Sequence, residues 1–276
     1  MLKKILASAI LIILFFGCKK SNPTGNNSTT NNNPPAAING WTLVWSDEFN
    51  YNGLPDSTKW TYDVGNSGWG NKELEYYTRA RLKNARVADS VLIIEADSES
   101  YNGSNYTSAR LVSKGTGNWT YGRFEVRAKL PFGRGTWPAI WMLPTDWTYG
   151  NGGWPDNGEI DIMEHVGYDP EVIHASIHCD NSNATNTIYI KDATAAFHVY
   201  AMEWSPDTIN IFVDSTKYFT YVNNHNGYQW WPFDKDFHFL LNIAVGGTWG
   251  GLYGVDPKIF PQQMVIDYVR VYKKAD

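Results

Sequence analysis

Tyr121-Gly122-Arg123-Phe124-Glu125-Val126-Arg127-Ala128-Lys129-Leu130 alternates without a break. Tyr121, Arg123, Glu125, Arg127 and Lys129 fall on one face and Phe124, Val126, Ala128 and Leu130 on the other, the period of a half-buried β-strand. The same rhythm recurs along the chain. Residues 199–214 read as a hairpin turning at Ser205-Pro206-Asp207-Thr208, and residues 265–272 as a closing strand. Residues 172–179 place His174, Ser176 and His178 on one face, opposite Ile173, Ala175, Ile177 and Cys179. No stretch keeps a helical period for more than a couple of turns, and no fixed-period repeat is visible. Short strands punctuated by Gly, Asn, Asp and Pro predict an all-β fold, a β-sandwich or jelly roll rather than a βαβ architecture.

The N-terminal region has a different character. Lys3 and Lys4 precede an apolar run from Ile5 to Phe16, then Gly17-Cys18. The run is too short for a membrane span, which needs roughly 20 apolar residues. It reads as a lipoprotein signal peptide over residues 1–17, with Cys18 as the lipidated first mature residue. Lipidation there tethers the protein to a membrane without spanning it, on the exported side of a bacterial cell envelope. Residues 18–39 are rich in Ser, Asn, Thr, Pro and Gly, a flexible tether. About 235 residues remain from Gly40 onward, an ordinary size for one all-β domain, expected to act as a monomer. Only Cys179 remains beyond Cys18, so stability must come from packing rather than from a disulfide within the domain. A net charge of -5 with no Lys/Arg block argues against a nucleic-acid partner.

Within this β pattern, Glu159-Ile160-Asp161-Ile162-Met163-Glu164 gathers three carboxylates. On a regular strand Glu159 and Asp161 share a face and Glu164 points the other way. One inserted residue, a β-bulge around Ile162 and Met163, would turn Glu164 back to its fellows, and bulges favour active sites. Carboxyls held close together separate in pKa, supplying the acid and the nucleophile that glycosidic cleavage needs. A calcium site or strand-edge charges are the structural alternatives. Upstream, the spacing of Gly135-Thr136-Trp137-Pro138-Ala139-Ile140-Trp141-Met142 puts two indoles on one side, where they could form plates for the C–H faces of a sugar or simply pack in the core. His174 and His178, four apart, invite a zinc site, but the β alternation and the opposite-facing Cys179 speak against one. Contact of His178 with substrate or an acid suits the pattern better. Nucleophile-elbow, P-loop and dinucleotide-binding motifs are absent.

The acid run resembles the E-x-D-x-x-E signature of glycoside hydrolase family 16. Trp45-Ser46-Asp47-Glu48-Phe49, Asn71-Lys72-Glu73-Leu74-Glu75-Tyr76-Tyr77-Thr78, Ser108-Ala109-Arg110-Leu111 and Leu241-Asn242-Ile243-Ala244-Val245-Gly246-Gly247 resemble its laminarinase-type members. The resemblance covers residues 41–272. It implies a β-jelly roll with a sugar cleft and hydrolysis with retention, with Glu159 as nucleophile, Glu164 as acid/base and Asp161 as helper. It also implies groove residues Asn71, Arg110, Trp137, Trp141, His178, Asn242 and Trp249, and no cofactor for the chemistry. A structural calcium ion, present in many members, would fall to Glu48 and Asp267. The implied partner is a β-glucan of the 1,3 or mixed-linkage kind. Agarose is the nearest enzymatic alternative, sulfated carrageenan would need a more basic cleft, and a non-catalytic carbohydrate-binding jelly roll would not need three acids.

Overall fold

The computed structural model describes residues 34–275. Two antiparallel-dominated sheets face each other as a jelly-roll sandwich. The first has seven strands in the order β13 (Ser182–Tyr189), β12 (Val172–Cys179), β11 (Glu159–Glu164), β10 (Thr136–Pro144), β17 (Phe237–Val245), β8 (Arg110–Val112) and β3 (Thr61–Asp63). The second runs β16 (Thr216–Val222), β15 (Thr208–Val213), β14 (His198–Trp204), β9 (Gly122–Lys129), β18 (Gln262–Lys274), β6 (Val91–Tyr101), β7 (Ser104–Ser108) and β4 (Glu75–Tyr77). To it are added β1 (Ala37–Ile38), β2 (Trp41–Asp47) and β5 (Ala85–Ala88). A 3₁₀ turn at Pro257–Ile259 is the one helical element among the described residues.

The expected strands are present. Phe124, Val126, Ala128 and Leu130 are buried as their alternation requires, and β14 and β15 form the hairpin. The tether expected over residues 18–39 ends sooner than its composition suggests. Ala37 pairs with Thr42 and Ile38 with Trp41, because β2 offers a free edge to the incoming chain. Cys18 and the segment expected to be a signal peptide lie outside the described residues.

Side chains from the inward faces of both sheets form one core. Ile140, Met142, Ile160, Ile162, Met163, Ile177 and Ile243 from the first sheet meet Phe124, Val126, Tyr200, Met202, Ile266 and Val269 from the second. Each large apolar side chain buried this way contributes roughly 1.5–3 kcal/mol of transfer free energy. Trp119, Phe124, Trp204 and Phe239 add edge-to-face and tilted ring contacts. Two fully buried indoles find partners: Trp60 Nε1 donates to Asp47 Oδ2 at 2.9 Å and Trp204 Nε1 to the Phe233 carbonyl at 3.1 Å. All nine residues of β17 are buried, because one face of the strand packs on the core and the other floors a cleft.

Candidate active site

The cleft lies over the face of the seven-stranded sheet that points away from the core. The strand that carries the three acids, β11, starts after Gly158, whose φ of +85° and tight seat leave no room for a side chain. A Cβ there would stand 2.7 Å from the Phe233 ring. Glu159 then pairs with His178, Ile160 with Ile177 and Asp161 with Ser176, after which the register jumps so that Glu164 pairs with His174. Against β10 the same slip appears: Trp141 faces Asp161, while Ile140 faces Met163 and Ala139 faces Glu164. This is the bulge that the spacing of the acids predicts. Ile162 and Met163 both turn into the core, fully buried, and Glu164 returns to the face of Glu159 and Asp161.

The cleft encloses about 680 Å³. Glu159, Asp161 and Glu164 line it together with Asn71, Arg110, Trp137, Trp141, His178, Asn242 and Trp249. Every cleft residue expected from the sequence is therefore brought to one surface. Trp137 Nε1 donates to Glu164 Oε1 at 3.0 Å, and the Trp137 ring meets that of Trp249 edge-on at 5.5 Å. Trp141 Nε1 donates to Asn242 Oδ1 at 2.8 Å. The Arg110 guanidinium stacks on Trp69 and Trp141 and pairs with Asp63, its Nε 3.0 Å from Oδ2. The cation at this end of the cleft is thus already neutralised.

Burial, followed by the charge of Asp161, pushes Glu159 up to about 8. Burial, followed by the charge of Glu159, pushes Glu164 up to about 7. Asp161 is held well above the ordinary carboxylate range by burial and by Glu164. Burial raises all three acids, and the donors around them differ. Trp154 Nε1 donates to Glu159 Oε2 at 3.0 Å, His178 Nε2 stands 3.9 Å from Glu159 and 3.0 Å from Asp161, and the hydrogen bond between Glu159 and Asp161 favours the ionised form of Asp161. Glu164 has a single indole donor. Trp154 and His178 favour the ionised form of Glu159, while burial and the charge of Asp161 oppose it and hold it above Glu164.

Several cleft residues escaped the sequence reading. Trp154 is the most consequential. It sits in the Gly-rich segment Gly150-Asn151-Gly152-Gly153-Trp154, where core packing would not call for an indole, and that placement is the clue that was available. Trp69, Glu73, Trp147, His174, Ser176, Asn183 and Thr185 also line the cleft.

Glu48 and Asp267 are placed otherwise. Arg270 Nε and Nη2 donate to the two oxygens of Glu48 at 2.9 and 2.7 Å, and Arg127 Nη1 donates to Asp267 Oδ2 at 2.6 Å. A calcium ion at either carboxylate would have to displace a guanidinium, so this donor set does not fit the ion.

A jelly roll whose sheet carries three closely set acids on the floor of an indole-walled cleft is built to cleave glycosidic bonds, and the protein is a glycoside hydrolase. The chain belongs to glycosyl hydrolases family 16, which residues 69–270 match. It is 58% identical over 244 residues to the beta-glucanase of Rhodothermus marinus, across 84% of this chain and 85% of that protein. The X-ray structure of the laminarinase from Rhodothermus marinus superposes with a TM-score of 0.84 at 58% identity, covering 86% of this chain and 98% of that one. SCLam, a non-specific endo-beta-1,3(4)-glucanase of the same family, superposes with a TM-score of 0.81 at 43% identity, covering 88% and 94%.

Proposed function

We propose that the protein hydrolyses internal β-1,3 linkages of a laminarin-like glucan, and mixed-linkage β-1,3-1,4-glucan as a secondary substrate, with retention at the anomeric carbon. The observation that carries this is the bulge at Ile162 and Met163, which sets Glu164 beside Glu159 and Asp161 under the indoles of Trp137, Trp141 and Trp154. In the first step the Glu159 carboxylate attacks the anomeric carbon while Glu164 gives its proton to the departing glycosidic oxygen, leaving a glycosyl ester on Glu159. In the second, Glu164, now a carboxylate, takes a proton from water, and the hydroxide oxygen attacks the anomeric carbon and frees Glu159. Asp161 holds Glu159 by a hydrogen bond, and Trp137 orients Glu164. The names of the relatives point to β-1,3-glucan, and a cleft whose Arg110 is paired with Asp63 suits an uncharged polysaccharide better than a sulfated one.

The soluble domain would be tested on laminarin, mixed-linkage glucan, agarose and carrageenan, following reducing ends and product sizes. Short oligosaccharides released first from laminarin are the expected result, whereas cleavage of agarose alone would overturn the substrate. Glu159→Gln is expected to abolish turnover and keep glucan binding.

The Lys3-Lys4, apolar run and Gly17-Cys18 pattern supports a lipid anchor at Cys18 in a bacterial cell envelope, the enzyme acting there as a tethered monomer. Incorporation of labelled palmitate that persists in Cys18→Ser would rule the anchor out.

A further inference from the structure

Beside the acids of the cleft stands a second pair of carboxyls that the hydrolytic steps do not use. Glu73 lines the cleft, and Glu75, two residues on at the start of β4, is completely buried. Glu75 Oε2 accepts the backbone N–H of Val245 at 2.6 Å. Its other oxygen, Oε1, is sealed from water and receives no donor, while the Glu73 carboxyl lies within hydrogen-bonding reach. A buried carboxylate oxygen left without a donor is costly, whereas a protonated one is itself the donor. Burial, followed by the charge of Glu73, holds Glu75 well above the ordinary carboxylate range. The other titratable groups facing the pair are Tyr77, whose hydroxyl touches Glu73, and more distantly Arg110, which is paired with Asp63.

Glu73 connects this pair to the sugar platform. It accepts from Tyr77 Oη at 3.0 Å and from Asn71 Nδ2 at 3.3 Å. Tyr77 Oη in turn accepts Asn242 Nδ2 at 3.0 Å, and Asn242 Oδ1 accepts Trp141 Nε1 at 2.8 Å. The ends of this relay are chemically fixed, since an indole can only donate and an ionised carboxylate can only accept. Asn242 must therefore turn its oxygen to Trp141 and its nitrogen to Tyr77, and Asn71 must turn its nitrogen to Glu73, leaving its oxygen for the cleft.

We propose that Glu73 and Glu75 share one proton and act as a positioning pair, fixing the amides of Asn71 and Asn242 for the sugar held over Trp141. The proposal rests on the glucan-cleft assignment above in one respect, that these amides contact sugar. Loss of the shared proton sets two carboxylates against each other, loosens the relay and weakens binding at alkaline pH, without altering the chemistry of substrate already bound.

The test uses Glu159→Gln protein, titrated calorimetrically with laminaritetraose from mildly acidic to mildly alkaline pH. Affinity should fall about tenfold toward the alkaline end, the scale of one well-placed hydrogen bond lost. Adding Glu75→Gln, whose amide can both donate to Glu73 and accept from Val245, should preserve the fold and hold the acid-side affinity across the range. Tyr77→Phe, which cuts the relay without altering its shape, should bind more weakly at every pH and respond less to pH. The infrared carbonyl band of a buried protonated carboxyl should be present at neutral pH and missing from Glu75→Gln. An unchanged alkaline loss in Glu75→Gln, failure of that variant to fold, or an infrared spectrum that Glu75→Gln leaves unaltered would overturn the proposal. If Glu159→Gln binds no laminaritetraose, the glucan assignment has failed, and the infrared band still decides whether the proton is shared.

Discussion

Replacing Trp154 with Phe removes the Nε1–H that reaches Glu159 Oε2 at 3.0 Å and leaves a smaller aromatic plate in its place. Because that hydrogen bond favours the ionised carboxylate, its loss must raise the pKa of Glu159 further. A hydrogen bond to a charged group contributes about 1.5–3 kcal/mol. Trp154 is 58% exposed, so water takes over part of the role. A net loss of about 1 kcal/mol is then appropriate, which corresponds to about 0.7 of a pKa unit. Because Glu159 lies above Glu164, the form with Glu159 ionised and Glu164 protonated is a minority at every pH, and that shift lowers kcat/KM about fivefold on the acid limb and at the optimum alike. The assay is a full pH–rate profile on a laminari-oligosaccharide, with binding to the corresponding Glu159→Gln double variant as a control for lost stacking. An unchanged kcat/KM on the acid limb and at the optimum would refute the reasoning. A rise in KM alone would show that Trp154 serves only as a sugar platform.

Two further outcomes follow from the same acids. Glu164→Ala should lose nearly all activity on laminarin, whose leaving oxygen needs a proton, yet still form the glycosyl ester from an aryl glycoside with an acidic leaving group, seen as a burst of released phenol; equal losses on both substrates would remove Glu164 from the acid role. The raised pKa of Glu159 also has a consequence for stability. Its contribution is fully present below the ordinary carboxylate value of 4.5 and is lost as pH rises through the folded-state value of about 8. Glu159→Gln should therefore raise the melting temperature by an increment that grows between those pH values, and an increment independent of pH would contradict the cause given for the shift.

Much of this was legible in the sequence because its signals are local. The alternation of residues 121–130 fixes which side chains enter the core, that of residues 172–179 which face the cleft, and the spacing of Glu159, Asp161 and Glu164 requires a bulge once all three are assigned one task. Trp137 and Trp141 are two apart twice over on a strand, so they share a face. What stayed hidden depends on contacts across the chain. Trp154 reaches Glu159 only because its loop folds over the start of β11. Glu75 resembles any surface acid in the sequence, yet it is fully enclosed, its backbone partner Val245 lying 170 residues away. The resemblance that implies calcium at Glu48 and Asp267 does not disclose the arginines, Arg270 and Arg127, that pair with them.

The central claim is that Glu159 and Glu164 act as nucleophile and acid/base in a double displacement. Proton NMR of the first products from a laminari-oligosaccharide, recorded before mutarotation, tests it most directly. The β-anomer at the newly formed reducing end is the predicted first product. Initial appearance of the α-anomer would mean a single displacement by water, and would contradict the roles given to both residues.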